Sequence, residues 1–306
     1  MQEVVLSRNV ARETIRCIII TMRELAHMKI SEAAQALGVK QPVYSRFELV
    51  QRDDEGNRLP GGVRLPTWDK LVEMAHLFNA ADRLPILEPI FKAARYGTET
   101  GHHTIGLIDQ FTIRVVLEPY ARCIDSYEAH TFPGLLQHPA TAEALIRRGT
   151  AMWPDFDAER ALKIRLARPQ ILTRPDGPVR YTCYLDESVL YRMVVERWEF
   201  IRQLQHVLKM SSLPNVVVRI VPMDLAESGH PGAIVPVVGS LTVLRFTEQW
   251  VAGYTENGMA GHFHESPAQV QYCGRVMGQY ELLALTEEQS RERIRRRINE
   301  LEAQQG

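Results

Sequence analysis

Ile30-Ser31-Glu32-Ala33-Ala34-Gln35-Ala36-Leu37-Gly38-Val39-Lys40-Gln41-Pro42-Val43-Tyr44-Ser45-Arg46-Phe47-Glu48 decides the fold, because it joins helical periodicity, a break and a second helix start. Ile30, Ala33, Ala34 and Leu37 fall at i, i+3, i+4 and i+7, one stripe of an α-helix, with Ser31 as the expected N-cap. Gly38 ends that helix, since glycine takes a positive φ without a Cβ clash. Pro42 suits the first turn of the next helix, where its missing N–H costs nothing. Val43 and Phe47, four apart, face back onto the first helix.

Small Ala34 lets two helices joined by a short turn cross closely, so the stretch reads as a helix-turn-helix. The second helix presents Lys40, Gln41, Ser45 and Arg46 near its start, side chains that reach base edges and phosphates in a major groove. The wording resembles that of lambda-repressor-like (XRE family, Cro/CI-type) regulators, through Ala33-Ala34, Leu37-Gly38-Val39 and Ser45-Arg46-Phe47-Glu48. Tyr44 stands where that family usually carries an inward aliphatic residue, and is counted here with the DNA contacts.

At 306 residues, 45% hydrophobic and 24% charged, the chain has length enough for two domains. The longest apolar run near the start, Cys17 to Ile20, is too short to span a bilayer, and the beginning lacks a basic region followed by a signal-peptide core. A cytoplasmic protein without a membrane partner is expected. Cys17, Cys123, Cys183 and Cys273 are widely spaced with no C-x-x-C pair, which predicts four buried, reduced thiols. The formal net charge is −1, and residues 1–100 carry 14 Lys/Arg against 13 Asp/Glu. A DNA-binding half this neutral needs a locally basic face, a dimer, or both. Lys40, Arg46, Arg52, Arg58 and Arg64 are the side chains for that face.

Working outward, residues 1–10 read as a loose arm and Ala11 to Ala26 as the first helix of a five-helix bundle. Its buried stripe is Ile15, Ile18, Ile19, Met22 and Leu25, with Arg12, Glu13 and Arg16 on the other side. Val50 to Pro66 is a turn-rich loop with an acidic centre. Thr67 caps a fourth helix striped by Leu71, Met74, Ala75 and Phe78, and a fifth runs to about Arg95 despite Pro85 and Pro89. The expected organisation is an all-α helix-turn-helix domain over 1–96, a linker over 97–110, and a larger α+β domain over 111–306.

The larger domain opens with strand-like Phe111 to Leu117 and Cys123 to Tyr127. Phe132-Pro133-Gly134-Leu135-Leu136-Gln137 and a helix over Ala140 to Arg148 follow, then a helix from Phe156 to Leu172 whose charges Glu159, Arg160, Lys163 and Arg165 read as solvated. Val179 to Leu185 alternates as a strand, Asp186-Glu187-Ser188 starts a short helix, and Glu196 to Met210 is an amphipathic helix. Leu213-Pro214-Asn215 turns into the strand Val216 to Val221, then His230-Pro231-Gly232 precedes strands Leu241 to Phe246 and Val251 to Glu256. Ser266 and Thr286 cap two last helices, and Arg291 to Arg297 reads as a solvated basic face. The P-G-L-L-Q run, the P-N-V strand and the H-x-G element resemble the C-terminal domain that often follows this helix-turn-helix in antitoxin-like regulators. That resemblance implies dimerisation and a ligand or partner site drawn from Pro133, Gly134, Leu135, Leu136, Gln137, His230, Arg245, Tyr254 and Glu256.

Catalytic groupings are few. His262 and His264 share one side of an extended segment beside Glu265, a metal pair if Asp224, His230 or Glu256 approaches. His130 with Cys123, or Cys183 with a histidine, makes a thiol pair, and Glu256 beside Tyr254 is a general base or a ligand-orienting carboxylate. No phosphate-binding, dinucleotide-binding, zinc-protease or nucleophile-elbow motif occurs. The sequence thus calls for no cofactor and no metal, and names no catalytic residue. The expected function is a transcriptional regulator that docks as a homodimer on a double-stranded DNA operator. A small-molecule effector, or a small protein encoded nearby, acts on its second domain. The alternative is a biosynthetic enzyme that keeps this architecture and works through its C-terminal domain.

Overall fold

A computed structural model describes residues 8–49, 64–81, 84–96, 114–115, 117–150, 158–175, 177–230, 236, 239–246, 251–256, 261–264 and 266–304. The chain divides into two compact units, Met1–Tyr120 and Ala121–Gly306. The expected linker 97–110, the loop 50–63, Arg52 and Arg58 lie outside the described residues.

The first unit holds α1 (Arg8–Leu25), α2 (Ile30–Ala36), α3 (Gln41–Glu48), α4 (Trp68–Leu77) and α5 (Leu84–Tyr96). Ile15, Ile18, Ile19 and Met22 are buried as the periodicity predicts. Three residues expected outside the helix belong to α1, which starts at Arg8. There the Arg8 and Arg12 guanidiniums donate to the carbonyls of Arg95 and Ala94 at the end of α5, where a positive charge is favoured. Glu13 and Arg16, expected on the solvated side, are buried as an ion pair at 2.8 Å. Burying two charges together is tolerable where either alone is not.

Three helices of this unit end alike. After α1, α2 and α4 a left-handed residue (His27, Gly38 or Asn79) lets two amides turn back onto the last carbonyls. After α2, the Gly38 amide donates to Gln35 and the Val39 amide to Ala34. The start of α2 differs from expectation. Lys29 is the N-cap residue, and its N–H is taken at 2.7 Å by the Glu32 carboxylate, so Ser31 lies inside the helix. Thr67 caps α4 as expected, accepting from the Lys70 amide at 3.3 Å.

The second unit is a mixed α/β domain built on a six-stranded sheet. Its strands are β1 (Cys123–Glu128), β2 (Arg180–Asp186), β3 (Val216–Val221), β4 (Leu241–Arg245), β5 (Val251–Glu256) and β6 (Gly261–His264), in the order β3-β2-β1-β4-β5-β6. β1, β2 and β3 run parallel, and β4, β5 and β6 join antiparallel. β3 buries Val216, Val218 and Ile220 on one face and leaves Val217 and Arg219 half-buried on the other. The helices are α6 (Pro139–Thr150), α7 (Ala158–Ala167), α8 (Arg197–Met210), α9 (Pro267–Leu283) and α10 (Glu287–Ala303). α9 packs Cys273, Val276, Met277 and Tyr280 against Tyr127, Tyr184, Leu241 and Val243 on one sheet face. α10 lies along β3, where the Ile220 amide donates to Ser290 Oγ and the Ile220 carbonyl accepts from Leu285, so that edge is covered.

Other expectations change. Phe111 to Leu117 was expected as a strand, yet residues 114, 115 and 117 are helical and Arg114 pairs with Glu118 one turn on. The helix expected to Leu172 tightens at Arg168 into a 3-10 turn over Arg168–Leu172. Arg165 and Arg293, expected in solvent, point inward: Arg165 donates to Gln137 at 2.6 Å, and Arg293 pairs with Glu187 and Glu227. Arg297 likewise donates to the Leu190 carbonyl at 3.1 Å.

Candidate functional site

In the first unit the site is the surface at the start of α3. Pro42 occupies its first turn, and Val43, Tyr44, Phe47 and Glu48 face inward at the helical spacing. Lys40, Gln41 and Arg46 are exposed and Ser45 is half-buried, which leaves one polar edge beside the turn. Tyr44, counted with the contacts from sequence, is fully buried at 0% exposure and does not belong to that edge. Among the described residues its hydroxyl meets no partner in hydrogen-bond geometry, and burial, followed by the neighbouring Glu48 carboxylate, pushes the phenol pKa up.

Buried charges hold this edge in place. Glu48 is gripped by Arg23, whose own pKa is raised chiefly by that hydrogen bond, and Arg16 donates to the Glu48 carbonyl at 3.2 Å. Lys70 on α4 donates to the Leu37 carbonyl at 3.3 Å, fixing the turn between α2 and α3.

In the second unit the structure keeps Pro133 to Gln137 together as a turn between β1 and α6, with the Leu136 amide donating to the Pro133 carbonyl. Pro133, Leu135, Leu136 and Gln137 are buried, and Gly134 packs under Arg168, whose guanidinium would lie 2.5 Å from an added Cβ. Gln137 donates to the Phe132 carbonyl at 2.6 Å. Gln203 of α8, fully buried, accepts from the His138 amide at 2.7 Å and donates to the Leu136 carbonyl at 2.8 Å. His138 meets His206 of α8 edge-on at 5.9 Å, and burial is the first cause lowering both imidazole pKa values. The turn is thus knitted to α7 and α8 through its own polar groups.

The remaining expected residues lie elsewhere. Arg245 pairs across from Cys123 at the start of β1, the end opposite the Pro133 turn, and its guanidinium binds Asp125. Tyr254 is buried, 3.4 Å from the exposed Glu256, and contacts Gly261 so closely that no side chain fits there. His230 is exposed on its own loop. Sequence reasoning missed Arg180, whose Nη2 lies 2.9 Å from Cys123 Sγ. The strand register that places them side by side was the missing signal.

The catalytic pairings come apart. His130 lies two residues past the end of β1 and meets Arg192, whereas Cys123 begins that strand. Burial pushes the Cys17 and Cys183 thiols up to about 11 and about 12, far from the thiolate a nucleophile needs. Cys123, expected buried, is half-buried. His264 shares a hydrogen bond with Thr255 at 2.8 Å, and among the described residues no group of three His, Cys, Asp or Glu is placed to hold a metal ion. No described helix is long and apolar enough to cross a membrane.

No curated protein and no solved structure matches the chain. One family model does, described as Domain of unknown function (DUF5753), over residues 113–296. That match covers more than half of the chain and nearly all of the second unit, and the chain therefore belongs to the DUF5753 family.

Proposed function

We propose that the protein is a sequence-specific DNA-binding transcriptional regulator of the helix-turn-helix, XRE-like kind, whose second unit senses a small ligand or a protein partner. The observation that supports this reading is the polar edge of α3. Lys40, Gln41 and Arg46 are exposed beside a four-residue turn closed by Gly38, while the opposite side of the helix is buried. In this reading α3 enters the major groove. Gln41 pairs with an adenine edge and Arg46 with guanine or phosphate, while Lys40 and Arg52 hold the backbone. A near-neutral domain binds DNA weakly alone, so two copies bind half-sites about one helical turn apart.

The test is a salt titration of the purified chain on the DNA upstream of its own gene, with an unrelated duplex of equal length as control. The expected result is tighter binding to the upstream DNA, lost in Arg46→Ala. Equal weak binding to both duplexes, or none, overturns the reading.

A further inference from the structure

The sheet face that carries α9 is buried over Tyr127, Tyr184 and Val243, but toward the start of β1 it stays half open. There Cys123, Asp125, Thr182 and Arg245 are half-buried and Arg180 is exposed. Arg180 and Arg245 are the cross-strand partners of Cys123 on either side, and cross-strand partners share a face. Both guanidiniums turn inward over β1, Arg180 to Cys123 Sγ at 2.9 Å and Arg245 to the Asp125 carboxylate. Cys123 and Asp125 are two residues apart, about 7 Å along a strand, so the two guanidiniums converge over one short length of β1. The backbone pins them: the Arg122 amide donates to the Arg245 carbonyl at 2.8 Å, and the Arg180 amide to the Arg122 carbonyl at 3.1 Å.

The charges there do not balance. Among the described residues, Arg180 and Arg245 on this face are answered by Asp125, which leaves one positive charge at this end of it, and Glu281 of α9 acts deeper, on Tyr184. Arg219, deeper on the same face, is taken up by the carbonyls of Ala284 and Leu285. Two guanidiniums brought together from the strands on either side of β1 repel, so the arrangement favours an anion that bridges them. A guanidinium fork matches phosphate oxygens in pairs, and a phosphate monoester carries about −1.5 to −2 at neutral pH, against −1 for a carboxylate.

We propose that this half-open face binds the phosphate group of a small phosphorylated molecule, held between Arg180 and Arg245 over the Cys123 thiol. The proposal rests on the reading of the second unit as a ligand sensor and gives that ligand its charge. The probes are inorganic phosphate and glycerol phosphate, with acetate as the monoanion control, titrated calorimetrically into the full-length chain at fixed ionic strength. A second readout is the rate at which iodoacetamide alkylates Cys123 in the native protein, where Cys17, Cys183 and Cys273 are buried.

Both phosphates are expected to bind and to slow alkylation of Cys123, and acetate to do neither. Arg180→Gln weakens binding about tenfold, the scale of one lost charge-assisted hydrogen bond, and removes the protection. Arg245→Gln alone leaves Asp125 without its partner, so the double change Arg245→Gln with Asp125→Asn is the second variant and is expected to act likewise. No phosphate binding, binding no better than acetate, or protection that survives Arg180→Gln overturns the proposal. No DNA enters the experiment, so phosphate binding without operator binding removes the regulator and keeps the site, and operator binding without phosphate binding does the reverse.

Discussion

Arg23 on α1 grips Glu48 at the end of α3 through two parallel hydrogen bonds, Nε to Oε1 at 2.7 Å and Nη2 to Oε2 at 2.8 Å. Its third nitrogen donates to the Met28 carbonyl at 2.9 Å, so one guanidinium ties α3 to the turn that precedes α2. A bidentate fork fixes angle as well as distance. The orientation of the Lys40 to Arg46 edge is therefore set by a buried ionic contact in addition to apolar packing.

Glu48→Ala takes the bidentate carboxylate from the half-buried Arg23 guanidinium, which keeps the Met28 carbonyl and Glu24, and is expected to cost about 1.5–3 kcal/mol in denaturant unfolding. The double substitution Arg23→Met with Glu48→Leu recovers most of that loss, since two apolar side chains replace the pair without stranding a charge. If the double variant is as unstable as the single one, the fork is not what holds α3.

Tyr44→Phe removes a buried hydroxyl that meets no hydrogen-bond partner among the described residues. Stability is expected to rise by about 1 kcal/mol, the scale of one unmade hydrogen bond. Operator affinity stays unchanged, because the ring lies on the inner side of α3. A loss of affinity with stability intact would return Tyr44 to the contact surface.

Lys40→Ala tests the phosphate role separately from base readout. Loss of one phosphate contact weakens binding to operator and control DNA alike and lowers the salt slope by about 1. A selective loss on the operator makes Lys40 a base contact instead.

Acidification is expected to destabilise the second unit through His138 and His206. Both folded pKa values lie below the ordinary 6.5, first through burial, then through Arg202 beside His138 and through His138 beside His206. A lowered folded value means that the unfolded chain takes up protons first. The stability these rings contribute is thus full above about 6.5, and falls as the pH drops below it. Urea midpoints measured across this range should decline on the acid side, and His206→Phe should flatten the decline. A midpoint that rises on acidification contradicts the assignment.

Much of the first unit was legible because its signals are local. Gly38 closes α2 with the positive φ that its place demanded, and Thr67 caps α4 through its own hydroxyl. Glu13 and Arg16 were misread because a charged side chain looks solvated until its partner is seen, and no local signal pairs Glu48 with Arg23, twenty-five residues away. The same holds for Arg293 with Glu187. In the second unit the strands showed in their alternation, but their order did not. Nothing in the local pattern sets β4 beside β1, and so nothing placed Arg180 and Arg245 on the two flanks of Cys123.

The cover over β3 has a further consequence for the protein in a crowded solution. Strand-by-strand polymerisation needs two bare rims on every molecule, one to receive and one to offer. Here Leu285 and Ser290 already occupy the hydrogen-bonding groups of Ile220 at one rim. The C-terminal helix therefore works as a stopper: end-to-end addition of sheets halts at β3 unless α10 first peels away.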